Sequence, residues 1–267
     1  MKSYISYFKL KFITGLQYRV AALAGLSTQF FFGFVYILIY IAFYESGGSN
    51  LPMELEDLVS YIWLEQAFFA MIYMLYKDKE IIRMIKNGNV AYELSRPQDL
   101  YFMWASKIYG DKLSKTLLRV FPVIIVASLL PFPYKLNLAI SIPSFLIFII
   151  SLVFSSFLAT AIALLFHVIC LITLDDKGVM SLFMVIGDLL SGLIIPIPFF
   201  PKYMQNISNL LPFRYVGDFP FRLYVGNISN TEGIIGIFIQ IFWIIILIII
   251  GKLITKKALN RAVIQGG

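Results

Sequence analysis

Apolar positions along this chain gather into six long runs, at residues 20–44, 58–76, 106–130, 138–174, 179–196 and 234–254. Runs near the ~20 apolar residues that cross a hydrocarbon core about 30 Å thick read as spans, so six transmembrane helices are expected. Ahead of them, residues 3–18 alternate lysines with aromatic and aliphatic side chains, and Ile5, Phe8, Phe12 and Leu16 can share one helical face. That pattern predicts an interfacial helix lying on the bilayer. The fourth run holds 37 residues, more than a bilayer needs, and Pro143 is expected either to kink it or to mark its true start. Between the fifth and sixth runs lie apolar pieces too short to cross, each punctuated by Pro or Gly, which predict short re-entrant or interfacial helices on the outer side. The first run exceeds the roughly 7–15 residues of a secretory signal's apolar region and more runs follow it, so it reads as a retained span.

Composition agrees. Of 267 residues 60% are hydrophobic and 14% charged, against roughly 25% charged in a soluble domain. An all-α integral membrane protein is expected, with residues 1–267 forming a single transmembrane domain, because no segment outside the runs can build a sizeable soluble core. If the N-terminus is cytoplasmic, 18 of the 22 Lys and Arg residues fall on that side, while the first outer loop carries Glu45, Glu54, Glu56 and Asp57 and no base. The positive-inside rule therefore puts both termini in the cytoplasm of a plasma-membrane protein. The net charge of +7 follows from that topology, and no nucleic-acid partner is expected.

Little in the sequence supports catalysis. The phosphate-binding pattern G-x-x-x-x-G-K-[ST] is absent; Gly251 and Lys252 come closest and lack the preceding glycine. One histidine and one cysteine leave no basis for a metal site or a catalytic triad, and Cys170 among apolar neighbours reads as an inert buried thiol. Glu65 in the second run, His167 in the fourth and Asp188 in the fifth are ionisable. A charge at bilayer depth costs about 2.5–3.5 kcal/mol on the insertion scale, which makes these residues candidates for a substrate path. The competing expectation is a structural hydrogen bond to Gln66, Ser191 or a backbone carbonyl. Ser155, Ala159 and Ala163 recur every fourth residue, a pattern that admits close helix packing with a partner in this chain or in a second copy.

The most unusual stretch is polar. Residues 77–104 sit between the second and third runs, on the expected cytoplasmic side. Ile81, Ile82 and Ile85 oppose Lys79, Arg83 and Lys86, which predicts a short amphipathic helix that Gly88 can terminate. Pro97 pushes Arg96 away from helical backbone, and Asp99 can cap the helix that follows. Such a segment suits docking to a soluble partner; the alternative is a solvated loop held at the headgroups by its bases and by Tyr92, Tyr101 and Trp104.

The stretch "NGNVAYELSRPQDLYFMW" resembles the cytoplasmic segment of ABC-2-type ABC transporter permeases, which often reads G-x-[IV]-x-x-x-L-x-R-P between spans two and three. Gly88, Leu94, Arg96 and Pro97 match it. The six expected spans, the N-terminal interfacial helix and "LPFRYVGDFPFRLYVGNIS" also agree with that family, over essentially the whole chain. The sequence departs from the family's pattern at Phe166-His167, where an aromatic pair such as Phe-Trp is expected.

The resemblance implies a membrane subunit of an ATP-driven exporter. Two permease chains, identical or homologous, would pair in the membrane lipid with a dimer of separately encoded ATPase subunits. ATP and Mg would be bound by that partner, with no cofactor on this chain. The segment between spans two and three would be the coupling helix. Its expected contact residues are Ile81, Ile82, Ile85, Gly88, Glu93, Leu94, Arg96, Pro97 and Asp99, with Ile82 and Ile85 buried in the partner's cleft and Glu93, Arg96 and Asp99 around them. No residue selects the cargo. Two other readings stay open: a proton-coupled secondary transporter using Glu65, Asp188 and His167, and a membrane anchor for a signalling partner.

Overall fold

The computed structural model describes residues 2–47, 51–94, 97–139 and 141–265, the side chains of 182–184 and 261–265 excepted; among the described residues every regular element is helical. Helices α1 (Lys2–Gln17), α2 (Arg19–Glu45) and α3 (Leu55–Ile72) come first. Two short helices, α4 (Lys79–Lys86) and α5 (Val90–Leu94), lead into α6 (Leu100–Leu129). Helices α7 (Ile142–Thr173), α8 (Asp176–Leu190), α9 (Lys202–Leu210), α10 (Asp218–Tyr224) and α11 (Asn230–Gln265) complete the chain, with single 3-10 turns at Ile197–Phe199 and Phe213–Tyr215. Among the described residues three helices are long and apolar enough to cross a membrane, at Arg19–Glu45, Ile142–Thr173 and Asn230–Asn260.

Local chemistry sets the helix starts. Ser141 caps α7, its Oγ accepting from the backbone N–H of Ser144 at 3.2 Å, and Pro143 occupies the first turn. Proline's fixed φ suits that position and its missing N–H costs nothing there. Pro143 thus marks the start of the fourth run's helix. Asp78 caps α4, Asp99 caps α6 and Asp175 caps α8 through side-chain oxygens on the first free N–H groups.

The fifth run differs from its expectation. Helix α8 has 15 residues, about 22 Å at 1.5 Å per residue, and the chain then leaves helical backbone. Pro196, Pro198 and Pro201 punctuate that stretch and cannot donate to a helical ladder. The short helices expected after it are present as α9 and α10.

The third run is also more than an apolar rod. Its helix, α6, carries Lys107, Asp111, Lys112, Lys115 and Arg119, and Lys107 and Lys112 are buried. The amphipathic α1 packs along this half, and its Phe8 carbonyl oxygen stands 2.6 Å from where a β-carbon on Gly110 would lie. Only glycine permits that approach.

Two apolar clusters form the interior. One gathers Tyr61, Trp63, Phe148 and Phe221; the other gathers Ile81, Trp104 and Phe166 around the short helices. Ser155, Ala159 and Ala163 are buried within this chain, on a helix whose most extensive partner is α11. The seam is polar in one place: Gln240 Nε2 donates to the Tyr215 carbonyl at 2.9 Å, and Ser155 Oγ lies 2.8 Å from the carbonyls of Tyr215 and Val216.

Candidate functional site

The segment from the end of α3 to the start of α6 folds as two short helices, and side chains tie it to five long elements. At its start, Lys112 Nζ of α6 donates to the Tyr73 carbonyl at 2.8 Å. The backbone N–H of Asp78 donates to His167 Nε2 of α7 at 3.0 Å, while Asp78 Oδ1 accepts from Glu80 N at 2.9 Å and Ile81 N at 3.0 Å. Because His167 Nε2 accepts, the ring proton sits on Nδ1, which reaches the Ala163 carbonyl at 2.7 Å. His167 is thus a neutral strut between α7 and the cap of α4.

Ion pairs supply the other ties. Lys77 and Lys86 both bind Asp176, the first residue of α8. Lys11 of α1 binds Glu80 at 2.6 Å. That hydrogen bond, with Lys107 and Arg83 nearby, holds the Glu80 carboxyl below its ordinary range. Glu93 is buried, receiving Trp104 Nε1 at 2.6 Å and Lys107 Nζ at 2.8 Å, both from α6. Asp99 Oδ2 pairs with Lys252 of α11 at 2.9 Å, and the Asp99 N–H donates to Tyr4 OH of α1 at 2.9 Å.

These contacts revise one expectation. Ile81, Ile82 and Ile85 are 0%, 5% and 4% exposed and pack inside this chain with Trp104 and Phe166. They are not open to a partner's cleft, because the amphipathic helix lays its apolar face on its own body. Glu93 likewise turns inward. What the segment exposes is the opposite edge: Arg83, Lys86, Asn87, Gly88, Asn89, Tyr92, Leu94 and Pro97. Gly88 takes φ +70° just after α4 and donates to the Ile85 carbonyl at 3.3 Å, a left-handed cap that glycine adopts without strain. Arg96 lies outside the described residues.

Glu65 lies on α3 and Asp188 on α8. Glu65 is 4% exposed, and among the described residues its carboxylate has no hydrogen-bond or ion-pair partner. Of the structural partners expected for it, Gln66, Ser191 or a backbone carbonyl, none is bonded to it among the described residues. His167 stands apart from them, at α4.

A second polar cluster was not singled out from the sequence. Asp218 is fully buried at the start of α10, with Arg222 Nη1 at 3.4 Å and Arg214 Nε at 3.7 Å from Oδ2. The Ile197 N–H donates to its Oδ1 at 3.1 Å, and Tyr61 OH, which donates to the Gly192 carbonyl at 3.0 Å, lies 3.5 Å from the same oxygen. The signal was the spacing: Arg214, Asp218 and Arg222 are four residues apart, although only Asp218 and Arg222 share α10, Arg214 lying in the 3-10 turn before it. Among the described residues no cluster of three or more His, Cys, Asp or Glu could hold a metal ion.

No curated protein matches the chain. A family model described as ABC-2 family transporter protein matches residues 24–266, which takes in every long helix from α2 onward, the tethered segment and the Asp218 cluster. The chain therefore belongs to the ABC-2 family of transporter membrane proteins.

Proposed function

We propose that this chain is the membrane-spanning permease subunit of an ATP-driven exporter, working as one of two permease chains with a dimer of separately encoded ATPase subunits. The observation that carries the reading is the wiring of residues 73–99. A segment that only filled a loop would not need ties to α1, α6, α7, α8 and α11. A segment that receives force from an ATPase does: movement of its exposed edge would pass to α7 through His167, to α8 through Asp176 and to α11 through Lys252. Coupling of this kind requires two arrangements of a packed element with different affinities for the partner.

In this reading the ATPase contact is the exposed edge formed by Asn87, Gly88, Asn89, Tyr92, Leu94 and Pro97, with Leu94 and Tyr92 as its apolar anchors, and the isoleucines serve as its foundation. Six segments cross the plasma membrane with both termini cytoplasmic, the domain comprises residues 1–267, and Glu65 and Asp188 face the substrate path. ATP and Mg belong to the ATPase.

Purification from native membranes under mild detergent tests it. An ATPase subunit is expected to co-purify, and the complex in nanodiscs is expected to hydrolyse ATP. A chain that purifies alone and moves cargo on a proton gradient without ATP would establish the secondary-transporter reading instead.

A further inference from the structure

Arg119 stands on α6, in the half of the helix that α1 covers or just beyond it, and its guanidinium lies in a notch on α2 made by Gly25. A β-carbon at Gly25 would overlap three guanidinium-group atoms, so this approach exists only because the residue is glycine. Among the described residues Arg119 has no carboxylate partner. Its Nε is sealed from solvent without an acceptor, while the residue as a whole is partly exposed. The nearest acid along α6 is Asp111, two turns away, and it is engaged by Tyr76 OH at 2.7 Å and Lys115 Nζ at 2.5 Å.

One turn beyond Gly25, on the same face of α2, stands Gln29. It is 3% exposed, and both its amide nitrogen and its amide oxygen are buried without partners. Buried amide groups are almost always bonded, and leaving one unmade costs about 1–3 kcal/mol. A cation without a counter-ion at Gly25, one helical turn along α2 from an unsatisfied buried amide, is an arrangement that an anionic polar ligand would complete. Depth narrows the ligand. Gly25 lies six residues into α2, roughly 9 Å from its start, at the level where phospholipid headgroups give way to acyl chains on the α1 side of the membrane. Basic pockets between membrane helices at this level suit anionic headgroups, and the planar guanidinium fork suits a phosphate.

We propose that Arg119, seated in the Gly25 notch beside Gln29, binds the phosphate of an anionic phospholipid in the leaflet on the α1 side. The phosphate takes the terminal guanidinium nitrogens, and the Gln29 amide nitrogen donates to the ester oxygens. The inference rests on the α2–α6 contact, on Gln29 and on α2 as a membrane span, and is independent of whether the chain docks an ATPase.

Native mass spectrometry of the delipidated protein tests it, with phosphatidylglycerol and phosphatidylcholine added in turn. The wild type is expected to retain phosphatidylglycerol in preference by roughly fivefold or more, the order expected for one cation at a headgroup. Arg119→Gln is expected to lose that preference, and Arg119→Lys to keep part of it. Excess inorganic phosphate should leave retention unchanged. Equal retention of the two lipids by the wild type would overturn the proposal, whatever the variants do. So would an unaltered preference in Arg119→Gln, which would place the lipid selectivity elsewhere on the protein. Displacement of phosphatidylglycerol by inorganic phosphate would show a soluble-anion site and overturn the lipid assignment.

Discussion

Asp218 carries more of the structure than any single charge visible from the sequence alone. Its carboxylate is fully buried and joins Arg214, Arg222, the Ile197 N–H and the Tyr61 hydroxyl at one point. Removing one member of a buried ion cluster leaves the rest uncompensated, which typically costs 3–5 kcal/mol by order of magnitude. Asp218→Ala is therefore expected to lower stability by about that amount, read from thermal unfolding in detergent. A loss below about 1 kcal/mol would mean that the arginines find water or lipid instead. This residue was hidden in the sequence because Arg214 and Arg222 looked like scattered outer bases, and only helical spacing would have brought them onto Asp218. His167 was visible as an ionisable residue in an apolar run, but its role was not. The partner of its ring is a backbone N–H 89 positions away, and no periodicity reveals that.

Helix α4 shows what hydrophobic patterning can and cannot give. Its amphipathic face, its Asp78 cap and its end at Gly88 follow from local chemistry, and Asp99 was legible as the cap of α6 for the same reason. Which body covers the apolar face was not legible, because Ile81, Ile82 and Ile85 would satisfy burial against a partner as well as against α6 and α7. The distinction has a measurable consequence. Ile85→Asp buries a carboxylate in the chain's own core and should unfold or destabilise it by more than about 3 kcal/mol, even without any partner. Leu94→Asp, on the exposed edge, should leave the melting temperature nearly unchanged and reduce co-purifying ATPase. If Ile85→Asp melts like wild type, the isoleucines are surface residues and the inward packing is not the state in solution. The fifth run illustrates the opposite limit: residues 179–196 are apolar throughout most of their length, yet α8 stops at Leu190, and the prolines beyond it were the signal that counted.

For the chain as a whole, the apolar runs located every long helix, and three of those helices are long and apolar enough to cross a membrane. The other three crossings of the proposed topology would run through α3, α6 and α8, whose polar residues hydropathy counts against them. Helix α6 is the clearest case, since α1 covers the half that holds Lys107 and Lys112. The proposed orientation rests on the asymmetry of Lys and Arg. In a Cys170→Ala background, Asn230→Cys should react with a membrane-impermeant maleimide on intact cells, and Asn87→Cys only after permeabilisation. Reaction of Asn87→Cys on intact cells would place the tethered segment outside and remove it from any cytoplasmic ATPase.

The role of that segment can be tested at one residue. Asn89 is exposed on its outer edge, clear of the buried isoleucines and of every tie described above. With a photoactivatable crosslinker on Asn89→Cys in the Cys170→Ala background, illumination of the native complex should join the chain to the ATPase subunit, with a yield that changes between nucleotide-free and ATP-bound states. Equivalent labelling of Lys202→Cys on α9 should give no such product. Absence of an ATPase adduct from Asn89→Cys, in a complex that still hydrolyses ATP, would contradict the assignment of this segment as the coupling element.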